Sequence, residues 1–146
     1  MAWIPITENN LLTAMSGDEL AGVRAAALAN AQEDPVAPSI AAVIGQVRGY
    51  VGRKHTLGAG ATIPEKLLAT ALDLIVPRML NRVNLDISSG RVTAAEDAKK
   101  TLDDVASGRF NVEEPETATP EVSAGVIGPA ISAPKRRFTR KDQDGI

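Results

Sequence analysis

Residues 40–51 read Ile-Ala-Ala-Val-Ile-Gly-Gln-Val-Arg-Gly-Tyr-Val, and their spacing decides the fold class. Ile40, Val43, Ile44, Val47, Tyr50 and Val51 recur at offsets of three and four, which puts them on one stripe of an α-helix. Pro35 and Pro38 sit where such a helix begins, because its first turn has no intrahelical use for their missing N–H groups. Gly45 and Gly49 stand four apart beside the stripe. They mark either a close approach to another helix or plain tolerance of glycine there.

The same period continues outward in both directions. Downstream, Leu67, Leu68, Ala71, Leu72, Ile75, Val76, Met79 and Leu80 make the most apolar helix, expected at the centre of the core. Thr62 is expected to cap it, with Pro64 at its first turn and Glu65 favouring its positive end. Pro77 removes a backbone donor and should kink this helix or end its first section. Upstream, Thr7 is a good cap for a short helix over about 8–15, after the apolar Trp3-Ile4-Pro5-Ile6. Ser16-Gly17-Asp18-Glu19 opens a second helix, in which Leu20, Val23, Ala27 and Leu28 are expected to face inward. After a turn over 86–90, Thr93-Ala-Ala-Glu96 reads as a capping box for a last helix, with Ala98, Leu102 and Val105 inward. Gly108 is placed to end it. The expectation is a mainly α protein: a small bundle of four to five helices over residues 1–111, followed by an extended tail over 112–146.

Composition agrees with a packed helical domain. The chain has 146 residues, 44% of them hydrophobic and only 3% aromatic, so the core is Ala, Leu, Val and Ile. Few aromatics leave little flat surface for stacking bases or a planar cofactor. With no cysteine, disulfides and thiolate zinc sites are excluded. Met1-Ala2-Trp3-Ile4-Pro5 lacks a basic region followed by an apolar stretch, so no signal peptide is expected. The longest apolar run, Leu67 to Val76, is far shorter than the roughly 20 residues of a membrane span, and a soluble protein is expected.

Beyond Phe110 the character changes. Pro115, Pro120, Pro129 and Pro134 alternate with Ser, Thr and Ala, and no base occurs between Val112 and Pro134. Such a stretch buries too little apolar surface to offset its own ordering. Within it lies an apolar island, Gly125-Val-Ile-Gly-Pro-Ala-Ile-Ser132. Charge is segregated too: Glu113, Glu114, Glu116 and Glu121 come first, then Lys135, Arg136, Arg137, Arg140 and Lys141. The cluster Lys135–Lys141 has three readings: a solubilising terminus, a docking peptide for an acidic protein surface, or a phosphate contact with DNA. Phe138 at its centre favours an apolar anchor among charge contacts, and Asp142 and Asp144 weaken the DNA reading.

Catalytic constellations are missing. The sole histidine, His55, lies beside Arg53 and Lys54 in the Gly-rich loop 52–62, where a solvated surface role outweighs a catalytic one. Gly58-Ala-Gly60-Ala-Thr62-Ile63 begins like a dinucleotide fingerprint but carries Ile63 where the last glycine belongs. The pairs Glu96-Asp97, Asp103-Asp104 and Glu113-Glu114 do not converge, because neighbours on a helix point about 100° apart. Neither an enzyme, nor a metal site, nor a cofactor site is expected. A net charge of −2 argues against general binding to a phosphate backbone. The alternative class is a small DNA-binding or regulatory protein using residues 17–51 as a helix–turn–helix. Its recognition helix would offer only Arg48, Arg53 and Lys54.

The order of segments resembles the Mu-like bacteriophage head–tail adaptor family. Trp3-Ile4-Pro5-Ile6-Thr7, Leu11-Leu12 and Ser16-Gly17-Asp18-Glu19-Leu20 resemble its N-terminus. Gly49-Tyr50-Val51 followed by Arg53 is similar to its helix ending in an Arg-containing loop, and Ile63-Pro64-Glu65-Lys66-Leu67 to its Pro-led central helix. Ala95-Glu96-Asp97-Ala98 through Leu102, Val105-Ala106 and Gly108-Arg109 resembles its closing helix. The likeness spans residues 3–114 in order. The chain departs from the family in the Gly-rich loop, at Pro77, and in the tail after Glu114. The resemblance implies a structural virion protein of the neck, made in the host cytoplasm. It implies a homo-oligomeric ring, expected to be twelve-fold, between the portal protein and a tail-side stopper or completion protein. DNA would pass through the ring without sequence-specific binding. The contacts to portal and neighbouring copies are expected from Arg53, Lys54 and His55 of the loop. In the tail they are expected from Val126, Ile127 and Ile131 of the apolar island and from Arg136, Arg137, Phe138 and Arg140 of the basic cluster.

Overall fold

A computed structural model describes residues 2–116. Among them the order of elements is β1 (Trp3–Pro5), α1 (Glu8–Ala14), α2 (Gly17–Ala29), α3 (Val36–Val51), β2 (Thr62–Pro64), a single 3₁₀ turn (Glu65–Leu67), α4 (Leu68–Arg82) and α5 (Ser89–Ser107). The architecture is mainly helical, with a two-stranded sheet at one end.

The helices start where side chains can satisfy their free backbone groups. Asn10 Oδ1 accepts from both the backbone N–H of Thr7 (2.7 Å) and its hydroxyl (2.8 Å), tying down the start of α1. Ser16 Oγ accepts from Glu19 N–H at 3.2 Å at the start of α2. Before α3, Asp34 Oδ1 accepts from Val36 N–H at 3.1 Å, doing what the cap position, Pro35, cannot. At the far end Gly108 turns left-handed (φ +82°) and closes α5, as its placement suggested.

The core forms between α3, α4 and α5, with α1 against α4. From α3 come Val43, Ile44, Val47 and Val51, buried, with Ile40 and Tyr50 packed half-buried beside them. The α4 face contributes Ala71, Leu72, Ile75, Val76, Met79 and Leu80, and α5 contributes Ala98, Leu102 and Val105. A fully buried Leu or Val of this kind contributes about 1.5–3 kcal/mol through apolar area removed from water. The outer side of α3 is open: a side chain at Gly45 or Gly49 would meet nothing within 4 Å. Tolerance, not close helix approach, therefore accounts for both glycines.

Four expectations are corrected and one is narrowed. Thr62 caps no helix: Thr62–Pro64 is β2, pairing antiparallel with β1 in the register Trp3↔Pro64, Ile4↔Ile63, Pro5↔Thr62. A two-stranded sheet has only edge strands, so the missing N–H groups of Pro5 and Pro64 are tolerated. Of the two outcomes expected at Pro77, a kink or an end, the end is excluded, since α4 runs through it to Arg82. The carbonyl left without an N–H belongs to Asp73, an exposed residue where water can take the donor's place. The last helix begins at Ser89, capped by Ser88, so Thr93 lies inside it with its hydroxyl donating to Ser89 O. Leu28 is 77% exposed, because it lies one residue, about 100°, beyond the inward stripe of Leu20, Val23 and Ala27. His55 is half-buried rather than solvated.

Candidate interaction site

Trp3 is the hub of the sheet end. Strand β1 presents its indole to the loop that follows α3, and Gly58 packs on the ring so closely that a Cβ there would lie 2.6 Å from Trp3 Cδ2. The indole Nε1–H donates to Glu113 O at 3.0 Å, bridging residues 110 apart in sequence. Arg48, from the last turns of α3, lies over the indole with Cζ 5.7 Å from the ring centre. The same guanidinium donates through Nη1 to Thr62 O (2.8 Å) and through Nη2 to Gly58 O (2.9 Å). One side chain thus pins both ends of the segment 58–62, and Thr62 Oγ1 closes that segment on itself by donating to Ala59 O at 2.7 Å.

These residues bring three separate parts of the chain to one pole. Ala2 and Trp3, then Gly58, Ala59 and Thr62, then Pro115 and Glu116 line a groove of about 280 Å³. Val112, buried in the core, and the Glu113 carbonyl hold the chain against the body just before Pro115 and Glu116 line this groove. Lys66 Nζ lies 4.0 Å from Glu113 Oε1. The loop, the N-terminal strand and the root of the tail therefore form one surface.

The predicted residues divide sharply. Arg53 extends from the turn after α3 with its guanidinium 5.2 Å from the centre of the Tyr50 ring. Lys54 is exposed, and its backbone N–H, like that of His55, donates to Val51 O. His55 Nε2 is shut off from solvent and meets no hydrogen-bond partner among the described residues. The residues Val126, Ile127, Ile131, Arg136, Arg137, Phe138 and Arg140 lie outside the described residues. Sequence reasoning missed the Trp3–Arg48–Gly58–Glu113 cluster. Its available signals were the only tryptophan of the chain and the single base within α3.

Two further charge clusters brace the helices away from this pole. Arg24 makes paired 2.8 Å bonds to the Glu8 carboxylate and a 3.1 Å bond from Nε to Asp34, linking α1, α2 and the turn before α3. Arg91 forks onto Glu19, joining α5 to α2. The hydrogen bonds from Arg24 and Arg91 hold the Glu8 and Glu19 carboxyls below the usual range. Partial desolvation of the Asp73 carboxyl, on a residue that is otherwise exposed, pushes the other way and raises it. Asp73 lines a small hollow with Pro77 and Arg91. Among the described residues no group of three or more His, Asp or Glu is placed to hold a metal ion, and no helix is long and apolar enough to cross a membrane.

Comparison with protein-family models, curated proteins and solved structures finds no match to this chain.

Proposed function

We propose that this chain is a non-enzymatic structural subunit of a tailed bacteriophage, a head–tail adaptor that joins further copies in a ring between the portal protein and a tail-side stopper. The observation that carries this reading is the convergence at one pole of the loop 52–62, the N-terminal strand and the tail root. The four segments that resemble the adaptor family build a single mainly helical body, and two of the parts that depart from the family, the Gly-rich loop and the root of the tail, meet at its end. A surface of that kind suits joining rather than turnover. The ring is proposed as twelve-fold, with DNA passing through it unread.

The helix–turn–helix alternative finds less support. It needs bases on the exposed face of α3, whereas Arg48 is occupied by Trp3 and two loop carbonyls and the outer positions include Ala41, Ala42, Gly45 and Gly49.

The test is reconstitution. The full chain is co-expressed with the portal protein encoded in the same genome, and portal-sized particles are isolated and imaged. A ring of this chain seated on the portal is the expected result. A genome without a portal gene, or a portal that purifies free of this chain, overturns the proposal.

A further inference from the structure

At the pole opposite the tail root, α4 ends in two arginines one turn apart, Arg78 and Arg82. With Asn81 of α4 and Pro38, Ser39 and Ala42 of α3, they line an open groove of about 420 Å³ that contains no carboxylate. Arg24, Arg91 and Arg109 all have acidic partners, and Arg48 and Arg53 lie over aromatic rings. Among the described residues Arg78 and Arg82 make no ion pair. Like charges four apart on a helix repel, and the N-terminal end of α3 adds partial positive charge beside them. Among the described residues the groove is therefore electrostatically unsatisfied, and it is suited to carboxylates.

The complementary charge stands at the other end of the same body. Glu114 and Glu116 are exposed and without a basic partner among the described residues, next to Glu113, whose carboxylate lies near Lys66. The two poles face away from each other. Helix α3 carries Ser39 at the groove and Arg48 at the sheet, while α4 spans Leu68 to Arg82, about 21 Å at 1.5 Å per residue. Glu114 and Glu116 follow Val112 and Glu113, which are fixed to the body, so they cannot fold back onto their own groove. A second copy can supply them.

We infer that the Arg78–Arg82 groove receives the Glu114–Glu116 segment of a neighbouring copy, head to tail. Unlike surfaces meeting in this way make a heterologous contact, which repeats around a closed ring or along a filament. Bidentate guanidinium–carboxylate pairing sets the register, and added salt weakens the contact. The inference rests on the ring-forming reading above and names the surfaces that would form the ring.

The chain has no cysteine, which allows a direct test. Arg82→Cys and Glu116→Cys are placed together in the full chain, which is oxidised mildly both alone at high concentration and after incubation with the portal. A ladder of disulfide-linked trimers and larger species is expected, whereas either single variant stops at dimers. In the cysteine-free chain, Arg78→Glu with Arg82→Glu should weaken self-association about tenfold or more, and adding Glu114→Lys and Glu116→Lys should restore it. Absence of the ladder in both preparations, or charge reversal without effect, overturns the inference. So does retardation of a short DNA duplex at low salt that Arg78→Glu with Arg82→Glu abolishes while no ladder forms. Portal capture is scored on the same samples. Capture without a ladder refutes the groove alone, and a ladder without capture refutes the adaptor reading alone.

Discussion

Replacing Gly58 by alanine tests the packing at the tail-root pole with a single methyl group. The added Cβ would lie 2.6, 2.7 and 2.8 Å from Trp3 Cδ2, Cε3 and Cγ, well inside van der Waals contact. The indole cannot swing aside freely, because its Nε1 is bonded to Glu113 O at 3.0 Å and its face is covered by Arg48. Nor can the loop retreat without loosening the 2.9 Å bond from Arg48 to Gly58 O. Gly58 does not have a positive φ, so the cost is steric rather than conformational. Overpacking of this kind costs about 1–3 kcal/mol. At this chain length each kcal/mol shifts the melting midpoint by roughly 3–6 °C. The control is Gly45→Ala, at an open helical position where a Cβ meets nothing within 4 Å. It should stabilise by about 0.5–1 kcal/mol. Thermal unfolding followed by circular dichroism gives the midpoints, and the emission of Trp3, the only tryptophan, reports the pole itself. A Gly58→Ala midpoint at or above that of the parent chain, or a Gly45→Ala midpoint below it, refutes the reasoning.

Other outcomes follow from the same geometry. Ending the chain at Glu116 should leave the unfolding midpoint of the body unchanged, whereas ending it at Asn111 removes buried Val112 and the Glu113 carbonyl and should cost about 1–3 kcal/mol in a urea titration. Leu11→Ala, at a fully buried site, should cost about 2–5 kcal/mol, and Leu12→Ala, 48% exposed, less than about 1 kcal/mol; equal losses would contradict the assigned face of α1. Glu8 and Glu19 have folded pKa values below their unfolded ones. The stability they contribute is present above about pH 4.5 and is lost as pH falls through the lower folded values. Arg91→Met should therefore flatten the acid limb of a stability–pH curve, and an unchanged slope would count against the Arg91–Glu19 pairing. Asp73 has the opposite sign: its raised pKa makes the charged form a cost above that value, relieved as pH falls. Asp73→Asn should raise stability at neutral pH and leave it unchanged in acid.

The helices were legible because their information is local. The stripe Val43, Ile44, Val47, Val51 and the terminator Gly108 depend on a period and a backbone conformation that a few neighbouring residues specify. The sheet was not legible for the complementary reason. Three-residue strands carry too few positions to show a period of two, and both contain proline, which argues against strand in isolation. Only their pairing across about 60 residues makes them strands. Arg48 misled in a related way. A base near a helix end reads as a solvent contact until the loop carbonyls of Gly58 and Thr62 are brought within reach. The start of α5 is ambiguous in sequence because Thr93 and Glu96 match a capping pattern as well as Ser88 does, and sequence spacing does not rank two acceptable caps.

That difference also bears on where contacts with other molecules should form. The core positions of α3, α4 and α5 are satisfied by one another, so their pattern reports folding and says little about partners. Among the described residues, positions that stay unsatisfied after folding include the Arg78–Arg82 groove, exposed Glu114 and Glu116, and the buried His55 Nε2 and Glu113 Oε2. The guanidiniums and carboxylates repeat no helical period that a core would need, and they sit at opposite ends of the body. In the proposed head-to-tail contact, the basic groove of one copy would take Glu114 and Glu116 of the next in one direction. The geometry of that contact fixes the rotation between successive copies, and that rotation decides whether the assembly closes. Salt should therefore separate two effects: raising it should dissolve the head-to-tail contact while leaving the midpoint for unfolding of the apolar core nearly unchanged.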